Sequence, residues 1–168
     1  MRPCEGMKAM HHDETNPTVE DLGFLRRAVE LAARAKASGN PPFGALLVGA
    51  DGEILAEMTN STVTDDDVSA HPELKLAVWA AKHLTKDQAR TTTLYTSAEN
   101  CAMCSGGFVL AGLGRLVFAV SAEQAGEARG TPSTSLRISA EEALGRAHYP
   151  VVVIGPALVE EGLVVHRP

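Results

Sequence analysis

The chain has 168 residues, of which 45% are hydrophobic and 21% are charged, and its formal net charge is −6. This length and balance are typical of one soluble domain with a hydrophobic core. The acidic charge disfavours nucleic acid as a partner, because proteins that bind a phosphate backbone usually carry a basic stripe. No apolar segment approaches the roughly 20 residues needed to cross a bilayer, so a membrane partner is not expected.

The N-terminal segment differs in character from the rest of the chain. Residues 1–17 contain no apolar stretch typical of a secretory signal. We therefore expect a flexible N-terminal arm over residues 1–17, a single domain over residues 18–168 and a cytoplasmic location. Three cysteines are too few for a disulfide framework.

The hydrophobic pattern predicts helices that alternate with strands. In the first half of the chain, the predicted elements are a helix over residues 18–38, strands over 43–48 and 53–58, a loop over 60–69 and a helix over 71–84. In the second half, they are a strand over 91–96, a helix over 101–113, a strand over 115–120, an irregular segment over 123–137, a helix over 139–147, a strand over 151–154 and a helix over 156–165. The turn at 50–52 makes the first two strands a hairpin, so the predicted class is α/β with a mixed sheet.

Two short motifs carry candidate chemistry, and each begins a predicted helix. His71 and Glu73 belong to an H-P-E motif, and Cys101 and Cys104 form a C-x-x-C motif. One imidazole and two thiolates supply the three ligands of a catalytic zinc and leave the fourth position for water. Glu73 can carry protons without binding the metal. The sequence therefore predicts one Zn²⁺ per chain and a hydrolysis in which water attacks an amidine carbon and ammonia leaves.

A different class of protein also fits part of this pattern. A C-x-x-C motif alone occurs in thiol redox proteins. A structural zinc would need a fourth ligand, and the only other histidine near the motifs, His83, lies three helical turns beyond His71. A non-catalytic zinc protein or a thiol redox protein is therefore the alternative, although neither of them requires the H-x-E motif.

The combined motifs resemble the cytidine deaminase-like superfamily, whose signature is H-x-E followed by P-C-x-x-C. The resemblance runs from about residue 40 to residue 120 and is closest to the branch of guanine, cytosine and tRNA adenosine deaminases. It implies a three-layer α-β-α sandwich with a mixed five-stranded sheet. It also implies a homodimer in which the partner chain closes part of the pocket.

The resemblance also implies positions that contact the substrate. Phe43 lies in a P-F-G-A segment whose aromatic residue lines the base pocket in that branch. Asn60, eleven residues before His71, matches an asparagine that hydrogen-bonds the base. The backbone at Ala70 would lie beside the substrate, and the backbone next to Glu99 would line the site.

The chain also departs from the pattern of that branch. Pro72 replaces a small residue between the histidine and the glutamate, Asn100 replaces the proline before the first cysteine, and Leu110 stands where guanine deaminases have a tryptophan. Pro72 suits the first turn of a helix, and Asn100 is a good helix cap. Glu123 and Glu127 are candidates for an acidic base-recognition residue, with a solvated loop as the alternative for both.

These observations predict a deaminase of a small molecule, which is a free nucleobase or a related amino-heterocycle, guanine-like or cytosine-like. The alternative within the class is a tRNA adenosine-to-inosine deaminase. The acidic charge of the chain favours the first, because a tRNA editor is expected to carry a basic surface.

Overall fold

The computed structural model describes residues 16–131 and 135–168. Its elements, in chain order, are α1 (Val19–Ala37), β1 (Gly44–Val48), β2 (Ile54–Thr59), α2 (Pro72–His83), α3 (Lys86–Thr91), β3 (Thr93–Ala98), α4 (Ala102–Ala111), β4 (Arg115–Val120), α5 (Ala122–Arg129), α6 (Ala140–Leu144), β5 (Val152–Ile154), α7 (Val159–Leu163) and a 3₁₀ turn (Val164–His166). The predicted arm lies outside the described residues except for its last two. Among the described helices, none is long and apolar enough to cross a membrane.

The five strands form one mixed sheet in the order β2-β1-β3-β4-β5. Strand β1 pairs antiparallel with both β2 and β3, whereas β3, β4 and β5 run parallel. Helices cover both faces of the sheet. This arrangement confirms the predicted mixed five-stranded sheet and its three-layer sandwich.

Alternate side chains of each strand enter two separate cores, as the period of a β-strand requires. On β1, Leu46 and Val48 join the core beneath α1, together with Leu25 and Leu31 of that helix. The opposite face of the sheet packs against α2 and α4, and its core contains Leu47 of β1. The sheet is therefore buried on both sides, and it holds the helices that carry the candidate site.

The predicted irregular segment over residues 123–137 is wrong in its first half, because residues 122–129 form helix α5. The helix begins with a capping box in which the Ser121 hydroxyl accepts from the N–H of Gln124 and the Gln124 side chain accepts from the N–H of Ser121. Helix α3 was not predicted, and it also begins with a capping box. The predicted final helix over 156–165 is shorter and ends in the 3₁₀ turn.

A buried ion pair joins α1 to the sheet. The Asp21 carboxylate accepts hydrogen bonds from Arg115 at 2.8 Å and from the Tyr95 hydroxyl at 2.6 Å. It also accepts the N–H of Thr18 at 2.8 Å and so completes the cap of α1. Burial opposes ionisation of Asp21, but the hydrogen bonds from Arg115 and Tyr95 outweigh it and hold the pKa of the carboxyl well below its usual range.

We expect the substitution Asp21→Asn to lower the free energy of unfolding by about 3 kcal/mol at pH 7, because it leaves the half-buried Arg115 without its counter-charge. The matched control Arg26→Met removes an exposed pair with Glu161 and should cost less than about 1 kcal/mol. Urea unfolding followed by circular dichroism measures both. Equal losses in the two variants would contradict the importance of this pair.

The ion pair of Asp21 and Arg115 should also make the free energy of unfolding depend on pH. The pKa of Asp21 is lower in the folded state than in the unfolded state. Ionised Asp21 therefore stabilises the fold above the unfolded-state pKa of about 3.9, and this contribution is lost as the pH falls below that value. The wild type should therefore lose more stability than Asp21→Asn between about pH 5 and pH 2. Parallel acid dependence in the two proteins would contradict the lowered pKa.

Candidate active site

Two helix N-termini meet beside the sheet and bring the two sequence motifs together. His71 is the N-cap residue of α2, with Pro72 in its first turn as predicted, and Cys101 is the N-cap residue of α4. The two helices pack against each other. Gly107 lies at this contact, and a Cβ atom there would lie 2.5 Å from the Cδ1 atom of Leu74, so a larger residue would require the Leu74 side chain to shift.

The three predicted metal ligands form one cluster. The Nδ1 atom of His71 lies 3.8 Å from the Sγ atom of Cys101 and 3.5 Å from that of Cys104, and the two sulfur atoms are 3.5 Å apart. Tetrahedral bonds of about 2.3 Å to sulfur and about 2.0 Å to nitrogen separate such atoms by about 3.5 to 3.8 Å. The donor set and its spacing therefore fit a zinc ion with three protein ligands.

The cysteine pair carries one strongly acidic thiol. The hydrogen bond with Cys104, and then that with His71, lowers the pKa of Cys101 to about 4, whereas the pKa of Cys104 is raised. A thiolate at neutral pH is the form that binds metal, and it is also the form that reacts in redox proteins. His71, which lies close to both sulfur atoms, is the feature that favours the metal.

Glu73 lies beside the cluster and is only 5% exposed. Its Oε1 atom is 2.6 Å from the hydroxyl of Thr96, and its Oε2 atom is 3.8 Å from the Sγ atom of Cys104. Burial raises the pKa of its carboxyl. The hydroxyl of Thr96 also lies 2.9 Å from the carbonyl oxygen of Ala98. Since a hydroxyl has one proton, Thr96 can donate to Glu73, or donate to Ala98 while it accepts from a protonated Glu73.

A cavity of about 390 Å³ opens onto this group of residues. Among the predicted site residues, its wall contains Phe43, Asn60, His71, Glu73, Glu99 and Cys101. Asn60 is 2% exposed, and its Oδ1 atom accepts hydrogen bonds from the N–H and the hydroxyl of Thr62. The structure thus brings most of the predicted substrate contacts to one cavity with the candidate metal ligands.

Ala70 is buried next to His71, but it is not part of that wall. Its carbonyl oxygen accepts the N–H of Ser61, and its own N–H donates to the carbonyl of Asp67. The predicted contact between the Ala70 backbone and a substrate stays a prediction.

The Glu99 carboxylate accepts hydrogen bonds from the N-termini of two helices near the cavity. One oxygen accepts the N–H of Ala122 at 3.1 Å, and the other accepts the N–H of Ala140 at 2.7 Å. These are the first residues of α5 and α6, where N–H groups lack partners inside the helix. The side chain of Glu99 therefore anchors two helices to the end of β3, and Glu99 belongs to the cavity wall. The predicted contact between the neighbouring backbone and a substrate stays a prediction.

Three other sequence expectations concern residues near the site. Glu123 and Glu127 are exposed on α5, in the wall of a neighbouring cavity of about 720 Å³. Asn100 does not cap α4, because Cys101 holds that position. The amide of Asn100 is buried, and neither its nitrogen nor its oxygen has a hydrogen-bond partner within residues 16–131 and 135–168.

Sequence reasoning missed one charged residue of the cavity wall. Arg129, at the end of α5, lines the cavity together with His71 and Glu73. Its Nη1 atom lies 3.1 Å from the Nδ1 atom of His166. The sequence predicted an irregular segment over these residues, and without helix α5 no pattern indicated that Arg129 lies at the site.

Comparisons with known proteins agree with this geometry. Residues 18–120 match the family model described as the cytidine and deoxycytidylate deaminase zinc-binding region. A probable cytosine deaminase of Schizosaccharomyces pombe is 32% identical over 160 residues, which cover 91% of this chain and 94% of the relative. A tRNA-specific adenosine deaminase of Bacillus subtilis is 30% identical over 142 residues, which cover 84% of this chain and 83% of the relative.

Two guanine deaminases are also similar. That of Bacillus subtilis is 40% identical over 106 residues, which cover 62% of this chain and 67% of the relative. The solved structure of a guanine deaminase from Nitrosomonas europaea superimposes with a TM-score of 0.73 at 22% identity, over 90% of this chain and 84% of that one. The structural match confirms the fold.

Fold, site and relatives together define a hydrolytic deaminase that acts on a C–N bond. The chain belongs to the cytidine and deoxycytidylate deaminase family. The zinc-binding description of the family and the cluster of His71, Cys101 and Cys104 both support zinc as the metal.

The hydrogen bond between the Thr96 hydroxyl and the Glu73 carboxyl can be tested by substitution. We expect Thr96→Val to lower kcat for deamination about 10- to 100-fold, because Glu73 loses the hydrogen bond that orients its carboxyl group. The substitution keeps the side-chain shape, so zinc content should not change. Ammonia release from cytosine and guanine, with metal analysis of the same samples, measures both effects.

The matched control is Thr92→Val, which removes a buried hydroxyl that donates to the carbonyl of Gln88 outside the site. It should retain wild-type kcat at a similar cost in stability. An unchanged kcat in Thr96→Val would contradict the orienting role.

Proposed function

We propose that this chain is a zinc-dependent deaminase of a free nucleobase or a related amino-heterocycle, guanine-like or cytosine-like, with one zinc ion per chain. One observation carries the proposal. A buried carboxylate, Glu73, lies against a three-donor group at the wall of a cavity of about 390 Å³. That size accommodates a free base, and ligand sites are typically cavities of about 300 to 1,000 Å³.

His71, Cys101 and Cys104 would hold the zinc through Nδ1 and the two Sγ atoms. Zinc bound by three protein ligands supplies a Lewis acid that lowers the pKa of water at its open position. The residues of this chain then have to orient the base and move the protons.

Glu73 is the proton carrier in this proposal. It takes a proton from the attacking water and gives it to a ring nitrogen as the oxygen bonds to the amidine carbon. It then takes the remaining proton from the new hydroxyl group on that carbon and gives it to the amine, so that the C–N bond breaks, the C=O bond forms and ammonia leaves. Its burial shields these protons from bulk solvent. Thr96 can pair with either protonation state of the carboxyl group and holds Oε1, which leaves Oε2 toward the cysteine ligands.

The base would be held by the other wall residues. The Oδ1 atom of Asn60 is engaged by Thr62, which leaves its NH₂ group as the donor to an acceptor on the base. Phe43 supplies an aromatic surface, and Glu99 keeps its backbone segment in place through the N-termini of α5 and α6.

A tRNA adenosine-to-inosine deaminase is the second candidate, because tRNA-specific adenosine deaminases are among the relatives. The formal charge of −6 supports a small substrate instead, since tRNA binding depends on release of counterions by basic surfaces. A non-catalytic zinc or thiol redox protein is the candidate from another class. The predicted cytoplasmic location stays a prediction.

We also propose a homodimer. Met103 and Leu110 lie seven residues apart on one face of α4, and Leu110 is 89% exposed. Gly106, between them, leaves open space above the helix. A second copy of the chain would cover this apolar face, which is unusual for a helix that otherwise packs in the core.

Glu73→Ala tests the proposed chemistry. We expect the variant to retain one zinc per chain and to lose deamination by at least about 100-fold, because the proton carrier is gone while the three ligands remain. Cys104→Ala should instead lose the metal. Ammonia release from guanine, cytosine, isocytosine, adenine and aminotriazines, together with metal analysis, measures these effects.

Glu53→Ala is the matched control, because Glu53 is exposed in the turn between β1 and β2, outside both cavities, and should not affect turnover. Full activity of Glu73→Ala would contradict the proton carrier. Inosine formation in a tRNA with no turnover of free bases would support the second candidate. Thiol oxidation without bound metal would support the redox class.

For the dimer, Leu110→Glu should produce monomers, because a charge would then be buried in the interface. Light scattering after size-exclusion chromatography measures the mass. Val19→Glu is the control, since Val19 is an exposed apolar residue on α1. A monomeric wild type, or an unaffected dimer in Leu110→Glu, would contradict this interface.

A further inference from the structure

Arg129 places a positive charge in the wall of the candidate catalytic cavity. The guanidinium is half-buried. Among the residues that the structure describes, its contacts are a hydrogen bond to the Nδ1 atom of His166 and a position over the ring of Phe43, 5.0 Å from the ring centroid. A guanidinium has five N–H donors, so most of them are left for other partners.

No carboxylate of the described residues neutralises this charge. Within residues 16–131 and 135–168, the ion pairs of arginine involve Arg26, Arg27, Arg115 and Arg146. Burial lowers the pKa of Arg129, and none of the acidic groups in the described part of the chain raises it. A half-buried cation without a counter-charge is unfavourable unless something else in the cavity accepts its hydrogen bonds.

The neighbours of Arg129 fix its position without neutralising it. His166 is 2% exposed, and burial, then the charges of Arg129 and Lys36, lower its pKa to about 4. His166 is therefore neutral at pH 7, and its Nδ1 atom can accept from Arg129. Its ring also packs against Phe43 at a centroid distance of 5.5 Å. The end of the chain thus holds the guanidinium against the cavity wall.

We propose that Arg129 donates a hydrogen bond to an oxygen atom on the substrate ring, and that it thereby selects amino-oxo heterocycles over amino-heterocycles without oxygen. The inference rests on the proposed function and narrows its substrate class. A guanidinium is a strong donor to oxygen acceptors, and the oxygen that a free base offers is a ring carbonyl. Glu73 and Arg129 line the same cavity of about 390 Å³, so the proposal places the oxygen and the reacting amine on one ring system.

The expected size of the effect follows from the charge. Losing a hydrogen bond from a charged donor in a partly buried site weakens binding about 10- to 100-fold. A substrate without the oxygen has no such bond to lose. Arg129→Gln should therefore affect the two kinds of ring differently, which a merely structural role would not do.

The test uses matched pairs of rings that differ in one oxygen: cytosine with 4-aminopyrimidine, isocytosine with 2-aminopyrimidine, and guanine with 2-aminopurine. Binding is measured by calorimetry in the zinc-loaded, full-length Glu73→Gln protein, where turnover is blocked. Turnover is measured as kcat/KM in the otherwise wild-type protein. Arg129→Gln and Arg129→Lys are the variants. Arg137→Gln is the control, because this substitution removes the same charge from an exposed residue of the neighbouring cavity.

We expect the oxygen-containing member of at least one pair to bind 10-fold or more tightly than its partner, and Arg129→Gln to abolish this preference. Arg129→Lys should restore part of it, and Arg137→Gln should leave it intact. Equal losses for both members of each pair, or a preference that survives Arg129→Gln, would overturn the inference while wild-type turnover leaves the proposed function standing. Failure of the wild type to bind or deaminate any of these rings would overturn both.

If Arg129→Gln fails to fold, Arg129→Lys still decides the question. Lysine keeps the charge but not the forked donor geometry, so the preference should fall without disappearing. A thermal unfolding midpoint close to that of the wild type identifies the variant as folded. An unchanged preference in a folded Arg129→Lys protein overturns the inference.

Discussion

The site depends on the close approach of two helix N-termini. His71 and Cys101 are the N-cap residues of α2 and α4, and the packing of these helices sets the distance between the imidazole and the thiols. At Gly107 a larger residue would require the end of the Leu74 side chain to shift. The free N–H groups and the dipole at a helix N-terminus favour thiolates there. Thus helix packing, rather than a long loop, gives the donor atoms the spacing that suits zinc.

Strand β3 and the residues that follow it complete the site. Thr96 contacts the buried carboxyl of Glu73, Glu99 anchors α5 and α6, and Cys101 begins α4. One segment of the chain therefore provides a hydrogen bond for the proposed proton carrier, a clamp for the cavity wall and a metal-binding atom. Because β3 lies at the centre of the sheet between β1 and β4, these groups have a rigid base.

The sequence predicted the metal-binding group and most of the fold because those features are local. Each motif lies within four residues at a helix start, and the strands carry strong apolar runs. Helix α5 was missed because only Ala125 and Gly126 are buried on it, so its hydrophobic pattern is weak. Arg129 and His166 come together from α5 and the C-terminal 3₁₀ turn, 37 residues apart, and no sequence pattern relates them. Asn100 was expected to cap α4, but the backbone places that role on Cys101.

The proposed chemistry requires a zinc ion held by one histidine and two cysteines, with one position open. X-ray absorption spectroscopy of the purified zinc protein measures the ligands directly. We expect two sulfur atoms at about 2.3 Å and two lighter atoms at about 2.0 to 2.1 Å around one zinc per chain. A coordination sphere of four sulfur or histidine ligands without an exchangeable position, or a protein that binds no zinc while its thiols form a disulfide, would contradict it.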